Sequence, residues 1–418
     1  MLERMDEHFI VSVDVGSSKI VVLFASEREG RMKIFGQAQG KSAGVRKGVI
    51  VDVDVAAAAI KAVGERASSS CGTKFDGAVV NISDVGIKVF NTSPHKYVER
   101  EKVREGDVRS LIKTAESRKA GQAERLISSV THHYVLDRDE HHAGAVVQYP
   151  IGEKAEMLEV SMHIVVASEQ KAKNIERSFE QCHKRVLNLV PSSMASSEPC
   201  LTQDQKDVGV CLVDMGSGVM DLSVFREGRI CYSAVISEGA DRVTNEIADA
   251  FKASFEEAER LKLHYGRAMV KTLVEDRLIR FQQEGEVGYR YLSHQSLVEV
   301  IEAAYLSLFV LIRDKIDKKL FRSLNSGFVL VGGGVRIKGC ADLMVQCFKK
   351  RVKIGHIDTN LINLDTDAVF SNDNLLSPEY ACALGLLLFD DGEQGLEERL
   401  SVRKVGLIDK IKDIGRKF

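Results

Sequence analysis

The sequence contains no Trp and only five Pro in 418 residues. Tryptophan-anchored repeats and proline-rich ligand segments are thereby excluded. Neither sign of charge predominates: 58 Lys plus Arg face 60 Asp plus Glu, a formal net charge of -2. A chain so near neutrality exerts no global pull on nucleic acid, and no nucleic-acid partner is expected. Paired cysteines are absent. Cys71, Cys182, Cys200, Cys211, Cys231, Cys340, Cys347 and Cys382 never come closer than seven residues. That removes the C-x-x-C spacing of zinc and redox motifs and points to reduced thiols in a cytosol. Long apolar runs are missing too. The longest, 303–312 and 381–389, reach about ten residues where ~20 are needed to cross a bilayer. Residues 1–8 are mostly acidic and polar, so neither a transmembrane helix nor a secretory signal is expected.

What is present is an ordinary globular composition, 44% hydrophobic and 28% charged, in a chain long enough for two to four units. A β-branched alternating run at 9–15 is followed by Gly16-Ser17-Ser18 and a second run at 20–25, which predicts a hairpin. A third strand is expected at 32–37 and a helix over 55–66 capped by Asp54. After a strand at 78–83 the texture changes. Residues 84–160 are polar, carry His132-His133 and His141-His142, and read as an inserted α+β subdomain. A second hairpin is expected from 208–214 and 221–225, helices at 243–251, 255–265 and 297–320, a strand at 328–331, and an apolar helix at 378–389.

The most informative feature is a repeat. Val11-Ser12-Val13-Asp14-Val15-Gly16-Ser17 aligns with Cys211-Leu212-Val213-Asp214-Met215-Gly216-Ser217, two hundred residues on. Each copy then runs through an apolar strand to the same tetrapeptide, Arg28-Glu29-Gly30-Arg31 and Arg226-Glu227-Gly228-Arg229. Two turns recurring in order indicate duplicated halves. Gly- and Ser-containing turns between strands let backbone N–H groups converge on a phosphate, because no Cβ blocks the approach. Gly16, Gly216 and Gly218 supply that access, Ser17, Ser18 and Ser217 add hydroxyls, and Lys19 adds a cation. Asp14 and Asp214, at their strand ends, suit a Mg²⁺ ion held through waters. A third loop, Gly332-Gly333-Gly334, follows a buried strand and lets a flat base or ribose lie against backbone. No P-loop and no strand-linked G-x-G-x-x-G occurs.

With these residues the chain resembles the actin/Hsp70/sugar-kinase superfamily over nearly its whole length. Within it, Gly44-Val45-Arg46-Lys47-Gly48-Val49-Ile50-Val51-Asp52, Ala172-Lys173-Asn174-Ile175 and Asp207–Asp214 resemble the FtsA family of bacterial cell-division actin homologues. So does the segment from Gly239 to Ala248. The resemblance implies a two-lobed actin-like α/β fold, a duplicated ribonuclease H-like ATPase architecture with an α+β insertion, binding ATP and Mg²⁺. It also implies that Glu259 and Lys262, in Glu257-Ala258-Glu259-Arg260-Leu261-Lys262, contact the adenosine, and that Gly239 belongs to the nucleotide site. The expected division is 1–83, 161–200 and 376–389 for the first lobe and 84–160 for the insertion, which resembles subdomain 1C. Residues 201–236 and 297–375 form the second lobe and 237–296 its small subdomain. In the family the insertion serves filament contacts and recruitment of later division proteins, and the FtsZ C-terminal peptide docks on the second small subdomain. One departure stands out: where FtsA proteins carry Gly-Gly-Gly-Thr, this chain has Gly216-Ser217-Gly218-Val219. Val219 lacks the hydroxyl, which implies at most slow hydrolysis, and no general base is legible.

The C-terminus closes the expectations. After a linker at 390–402, residues 403–418 form an amphipathic pattern in which Leu407, Ile411, Ile414 and Phe418 fall on one helical side, flanked by Ile408. Lys410, Lys412, Arg416 and Lys417 lie off it. Such a helix suits an anionic membrane surface, at ~21 Å too short to span it. The whole then reads as a filament-forming protein, tied to FtsZ and to the cytoplasmic face of the membrane at the division septum. A small-molecule kinase of the same superfamily and another actin-like envelope scaffold, of the PilM type, are the alternatives. The histidine pairs and Ser68-Ser69-Ser70 read as loop, turn or cap residues.

Overall fold

The computed structural model describes residues 9–117, 121, 123–139, 141–364 and 374–389. The linker and the amphipathic tail, 390–418, lie outside the described residues, and with them all nine expected membrane-binding positions.

Two five-stranded cores repeat one topology. In the first, Arg31–Lys41, Lys19–Arg28 and Phe9–Val15 form an antiparallel meander, and Gly77–Ile82 and Arg185–Pro191 extend it in parallel. In the second, Arg229–Ile236, Met220–Arg226 and Val210–Met215 form the meander, with Gly327–Val331 and Val352–Ile354 parallel beyond it. The duplication read from the sequence is thus a duplication of fold. The shared Glu-Gly turns explain the shared tetrapeptide. Glu29 and Gly30 have φ of 53° and 74°, Glu227 and Gly228 of 54° and 74°. Two successive positive φ values make the tight turn that matches strand twist, and glycine takes the second position without Cβ strain.

Both faces of each sheet are covered, so the strands read as near-continuous apolar runs rather than strict alternation. In the first lobe Val11, Val13, Val22 and Phe24 pack on Ile60, Val63, Ile175 and Phe179. Their strand neighbours Val21 and Leu23 face the other way, into a cluster shared with Leu212, Val329 and Leu384 that cements the two lobes. The first helix is longer than the Ala-rich core suggests, Val53–Cys71, and its cap is Asp52 rather than Asp54. Asp52 has the extended backbone a cap requires and accepts from Val55 N–H, while Asp54 lies in the first turn.

In the second lobe, helix His294–Lys315 buries Leu297, Ile301, Tyr305, Leu308 and Ile312 against Val213, Leu222 and Leu343. By length and composition it would suffice to cross a membrane. The apolar run at 303–312 lies inside it, bounded by Glu302 and Arg313, and the apolar side of the helix is core. The helix expected over 297–320 ends at Lys315, where Asp317 caps a new one by accepting from Lys319 and Leu320 N–H.

Two short helices join the lobes, Ser192–Ser197 and Ala381–Leu386. They cross so closely that a Cβ on Gly385 would stand 1.8 Å from the Ala195 carbonyl oxygen. Strand Ile362–Leu364 pairs with Met32–Ile34 at the edge of the first sheet, so the range expected for the second lobe ends on its neighbour.

The insertion is a second sheet covered by helix Glu105–Ser117, whose Val108, Leu111 and Ile112 pack on Leu158, Val160, Met162 and Ile164. Strand Met157–Ser168 runs unbroken from it into the first lobe. His132 and His133 belong to strand Glu124–Leu136, not to a loop. They and His163 form a seam against the second lobe. Arg229 Nη1 donates to His133 Nδ1 at 2.8 Å, and Asn91 Nδ2 donates to the Cys231 carbonyl at 2.8 Å. His163 meets Asn91 Oδ1 at 2.8 Å and Ser233 Oγ at 3.4 Å, with the His132 ring stacked beside it.

Candidate functional site

The two Gly-Ser turns are built alike and meet. In each, the glycine N–H closes the hairpin: Gly16 N–H donates to Lys19 O and Gly216 N–H to Val219 O, both at 3.0 Å. A Cβ on Gly218 would lie 2.7 Å from Ser17 Oγ, so the turns approach closely across the lobes and a side chain there would force a shift. The glycine loop closes on the same place. Cβ atoms on Gly332 and Gly334 would come within 2.5 Å of Asp214 Oδ1 and 2.7 Å of Met215 Cγ, whereas Gly333 faces open space. Gly239 lies behind the second turn, where Ala240 N–H donates to Gly216 O at 2.9 Å and Asp241 N–H to Ser217 O at 2.8 Å. Tyr305, fully buried, donates its hydroxyl to Gly334 O at 2.6 Å and holds the glycine loop. Ser18 is exposed, its carbonyl taken by Ser42 N–H at 2.9 Å.

Burial dominates the electrostatics. It pushes the Asp14 carboxyl up to about 6, with Lys19 and a hydrogen bond from the Cys382 thiol opposing. It pushes Asp214 up to about 7, against a hydrogen bond from Ser196 Oγ at 2.5 Å, with Asp14 adding repulsion. A third carboxylate, Asp221, belongs with them. Burial and the charges of Asp214 and Asp14 raise it well above the carboxylate range, and the hydroxyl of Ser83, from the first lobe, lies 2.8 Å from both its oxygens. Asp221 was legible in principle: counting back from the turn sets Asp214 directly opposite Asp221 across the hairpin, and two facing acids in an apolar ladder need a reason.

A divalent cation fits this arrangement. Buried carboxylates held away from counter-charge gain most from a cation, and Ser217 Oγ is buried without a hydrogen-bond partner, as a phosphate-binding hydroxyl would be before its ligand arrives. Among the described residues no three His, Cys, Asp or Glu side chains gather as direct metal ligands.

Lys19 lies close enough to oppose the rise of Asp14 and Asp214, and it is also paired. Its ammonium lies 3.0 Å from Glu379 Oε2 and 4.0 Å from the Tyr380 ring centroid, and Arg336 pairs with the same carboxylate at 2.7 Å. Lys262 is buried rather than solvated. It donates to Thr244 Oγ1 at 2.7 Å and Ala240 O at 3.3 Å and pairs with Glu259 at 2.6 Å, while Thr244 donates to Glu259 at 2.5 Å. Glu259, Lys262 and Thr244 thus form one polar knot behind Gly239-Ala240; Thr244 carries no signal of its own in the sequence.

A family model described as "Cell division protein FtsA" matches residues 211–385, from the second repeat strand to the second connecting helix. The cell division protein FtsA of Pseudomonas aeruginosa is 30% identical over 382 residues, 91% of this chain and 88% of that protein. This chain belongs to the FtsA family. It is therefore an actin-like cell-division protein, and the FtsA relationship outweighs a kinase reading. Solved structures agree on the fold. The PilM-PilN type IV pilus biogenesis complex superposes with a TM-score of 0.64 at 15% identity, over 91% of this chain and 97% of the other. MreB5 of Spiroplasma citri bound to ADP gives 0.53 at 12% identity, over 94% and 98%. At such identities the likeness concerns architecture alone, so the PilM type is the weaker reading beside FtsA.

Proposed function

We propose that this FtsA-family protein binds Mg-ATP between its two Gly-Ser turns, assembles into filaments on the cytoplasmic face of the membrane, and tethers FtsZ filaments there. The observation that carries the nucleotide reading is the meeting of Ser17 and Gly218 near three carboxylates, Asp221 buried and Asp14 and Asp214 half-buried. Asp14, Gly16, Ser17, Ser18, Gly216, Ser217 and Gly218 would face the phosphates, Gly332, Gly333 and Gly334 the nucleoside, with Glu259 and Lys262 behind Gly239. Asp14 and Asp214 would hold Mg²⁺ through waters. The ion would neutralise the triphosphate and the acids; the residues orient it and exclude bulk water. Val219 in place of the family's Thr fits slow turnover, with ATP setting shape rather than driving flux.

The ADP-bound MreB5 neighbour supports an adenine nucleotide in this fold. Membrane attachment through Leu407, Ile408, Ile411, Ile414 and Phe418, with Lys410, Lys412, Arg416 and Lys417 at anionic head groups, rests on the sequence pattern. One such helix binds reversibly, and a filament multiplies it into avidity. Docking of the FtsZ C-terminal peptide on the second small subdomain, and of later division proteins on the insertion, rests on family membership.

Co-sedimentation with anionic liposomes tests the tether. Leu407→Glu with Ile411→Glu is expected to leave the protein in the supernatant while Mg-ATP affinity stays within twofold; undiminished pelleting would defeat it.

A further inference from the structure

A short hairpin, Val45–Arg46 paired with Val49–Ile50, belongs to neither repeat yet sits across both turns. Its own turn is Lys47-Gly48, with φ of 48° and 73°, a two-residue connection whose backbone is fixed by those positive values. Gly48 N–H donates to Ser17 Oγ of the first turn at 2.8 Å. On the other side, a Cβ on Gly218 of the second turn would come 3.0 Å from Lys47 Cα. A Cβ on Gly48 would meet Ser83 O at 3.0 Å, beside the hydroxyl that reaches Asp221. The hairpin therefore lies where the Gly-Ser turns meet.

Its side chain there is a lysine. Lys47 Nζ crosses to Glu238 Oε1 in the second lobe at 3.0 Å, just before the Gly239-Ala240 backbone that braces Gly216. The two side chains are 51% and 32% exposed. An ion pair so wet contributes little net stability and is readily exchanged for a better anion. Lys19, by contrast, is shared between Glu379 and the Tyr380 ring.

We propose that Lys47 is a phosphate-binding residue, giving up Glu238 for the terminal phosphate of a bound nucleoside triphosphate, so that the hairpin distinguishes triphosphate from diphosphate. This rests on the nucleotide reading above. On that reading the terminal phosphate would sit at the two turns, and the hairpin is an element in contact with both. An ammonium suits it, being a compact charge with rotatable donors and no need of a fixed geometry. When that phosphate is lost, Lys47 returns to Glu238.

Calorimetric titration of the full chain with Mg-ATP and Mg-ADP tests the assignment. Lys47→Gln is expected to weaken Mg-ATP by roughly tenfold or more, the worth of one charge-assisted hydrogen bond, with Mg-ADP within twofold. Lys47→Arg keeps the charge and is expected to retain most of the ATP preference. Glu238→Gln removes the competitor and is expected to leave ATP affinity unchanged or higher. Equal losses for both nucleotides, or none, in Lys47→Gln overturn the proposal. A loss in Glu238→Gln matching that in Lys47→Gln overturns it as well, because the ion pair would then be the important partner. Wild-type protein that binds neither nucleotide would instead sink the nucleotide reading itself.

Discussion

Two of the polar regions that join the lobes of this molecule are made of opposite chemistry. At the cleft, half-buried Asp14 and Asp214 lie with buried Asp221, and Ser83 of the first lobe reaches Asp221 of the second. At the seam, His132, His133 and His163 of the insertion meet Arg229, Cys231 and Ser233. Burial pushes each set toward its neutral form: it raises the acids and lowers His132 to about 4 and His163 to about 3. The difference lies in what completes them. The seam closes most of its hydrogen bonds internally, since the Asn91 amide N–H on Cys231 O leaves Asn91 Oδ1 to accept from His163 Nδ1–H, and His163 Nε2 to accept from Ser233, although the buried His132 Nε2 has no partner. The cleft does not. Its acids repel one another, and Ser217 Oγ has no partner. Neutral imidazoles paired with amide and hydroxyl groups suit a fixed joint; like-charged acids beside an unpartnered hydroxyl suit a ligand that brings a cation.

The comparison breaks most readily at the cleft. Asp214→Asn preserves shape and removes charge, and is expected to weaken Mg-ATP by roughly a hundredfold, corresponding to about 3 kcal/mol for a charged interaction in a buried site. ATP titrated in EDTA should lose little. Equal losses in both conditions would assign Asp214 to the nucleotide rather than to the metal.

A smaller effect is expected at the seam. His163→Leu leaves Asn91 Oδ1 and the Ser233 hydroxyl unpartnered and should lower stability by about 2 kcal/mol, read as a reduced denaturation midpoint. Mg-ATP affinity should stay within twofold. A large loss of affinity would mean that the seam is part of the site, and the contrast would fail.

The smallest effect is on the pH dependence of stability without metal or nucleotide, because the two regions oppose each other. The folded cleft holds protons that unfolded Asp side chains, with pKa 3.8, release, up to about 6 for Asp14 and about 7 for Asp214. Its penalty is absent below pH 3.8 and grows until it is complete above those values, so it makes stability fall as pH rises. The seam works the other way: His132 and His163, ordinarily at 6.5, stay neutral when folded, so stability is complete above pH 6.5 and is lost as pH falls toward 4 and 3. Relative to the wild type, thermal melts between pH 4 and 7 should gain stability with rising pH in Asp214→Asn and lose it in His163→Leu; profiles parallel to the wild type in both variants would show that neither burial effect governs stability.

Much of this was open to reading from residue order. Strand, turn and strand announced themselves twice because Asp-x-Gly-Ser and Arg-Glu-Gly-Arg are local demands: a strand end, a close approach, a turn with positive φ. Asp14, Asp214 and the Gly-Ser turns followed, as did the resemblance to FtsA. Other features stayed hidden. Asp52 outcompeted Asp54 as cap through backbone angles that neighbouring residues set. His132 and His133 looked like loop because the strand carrying them is only half-buried.

By itself the sequence determined the duplication, the two turns and their acids, since periodicity and turn chemistry depend on residues a few positions apart. Only the tertiary structure decided the pairings between remote segments. Lys19 meets Glu379 across 360 positions, Ser83 meets Asp221 across 138, and Lys47 meets Glu238 across 191. No local pattern encodes such partners. They are fixed by how two sheets, an insertion and two crossing helices pack, and the packing places the Lys47 hairpin where the Gly-Ser turns meet.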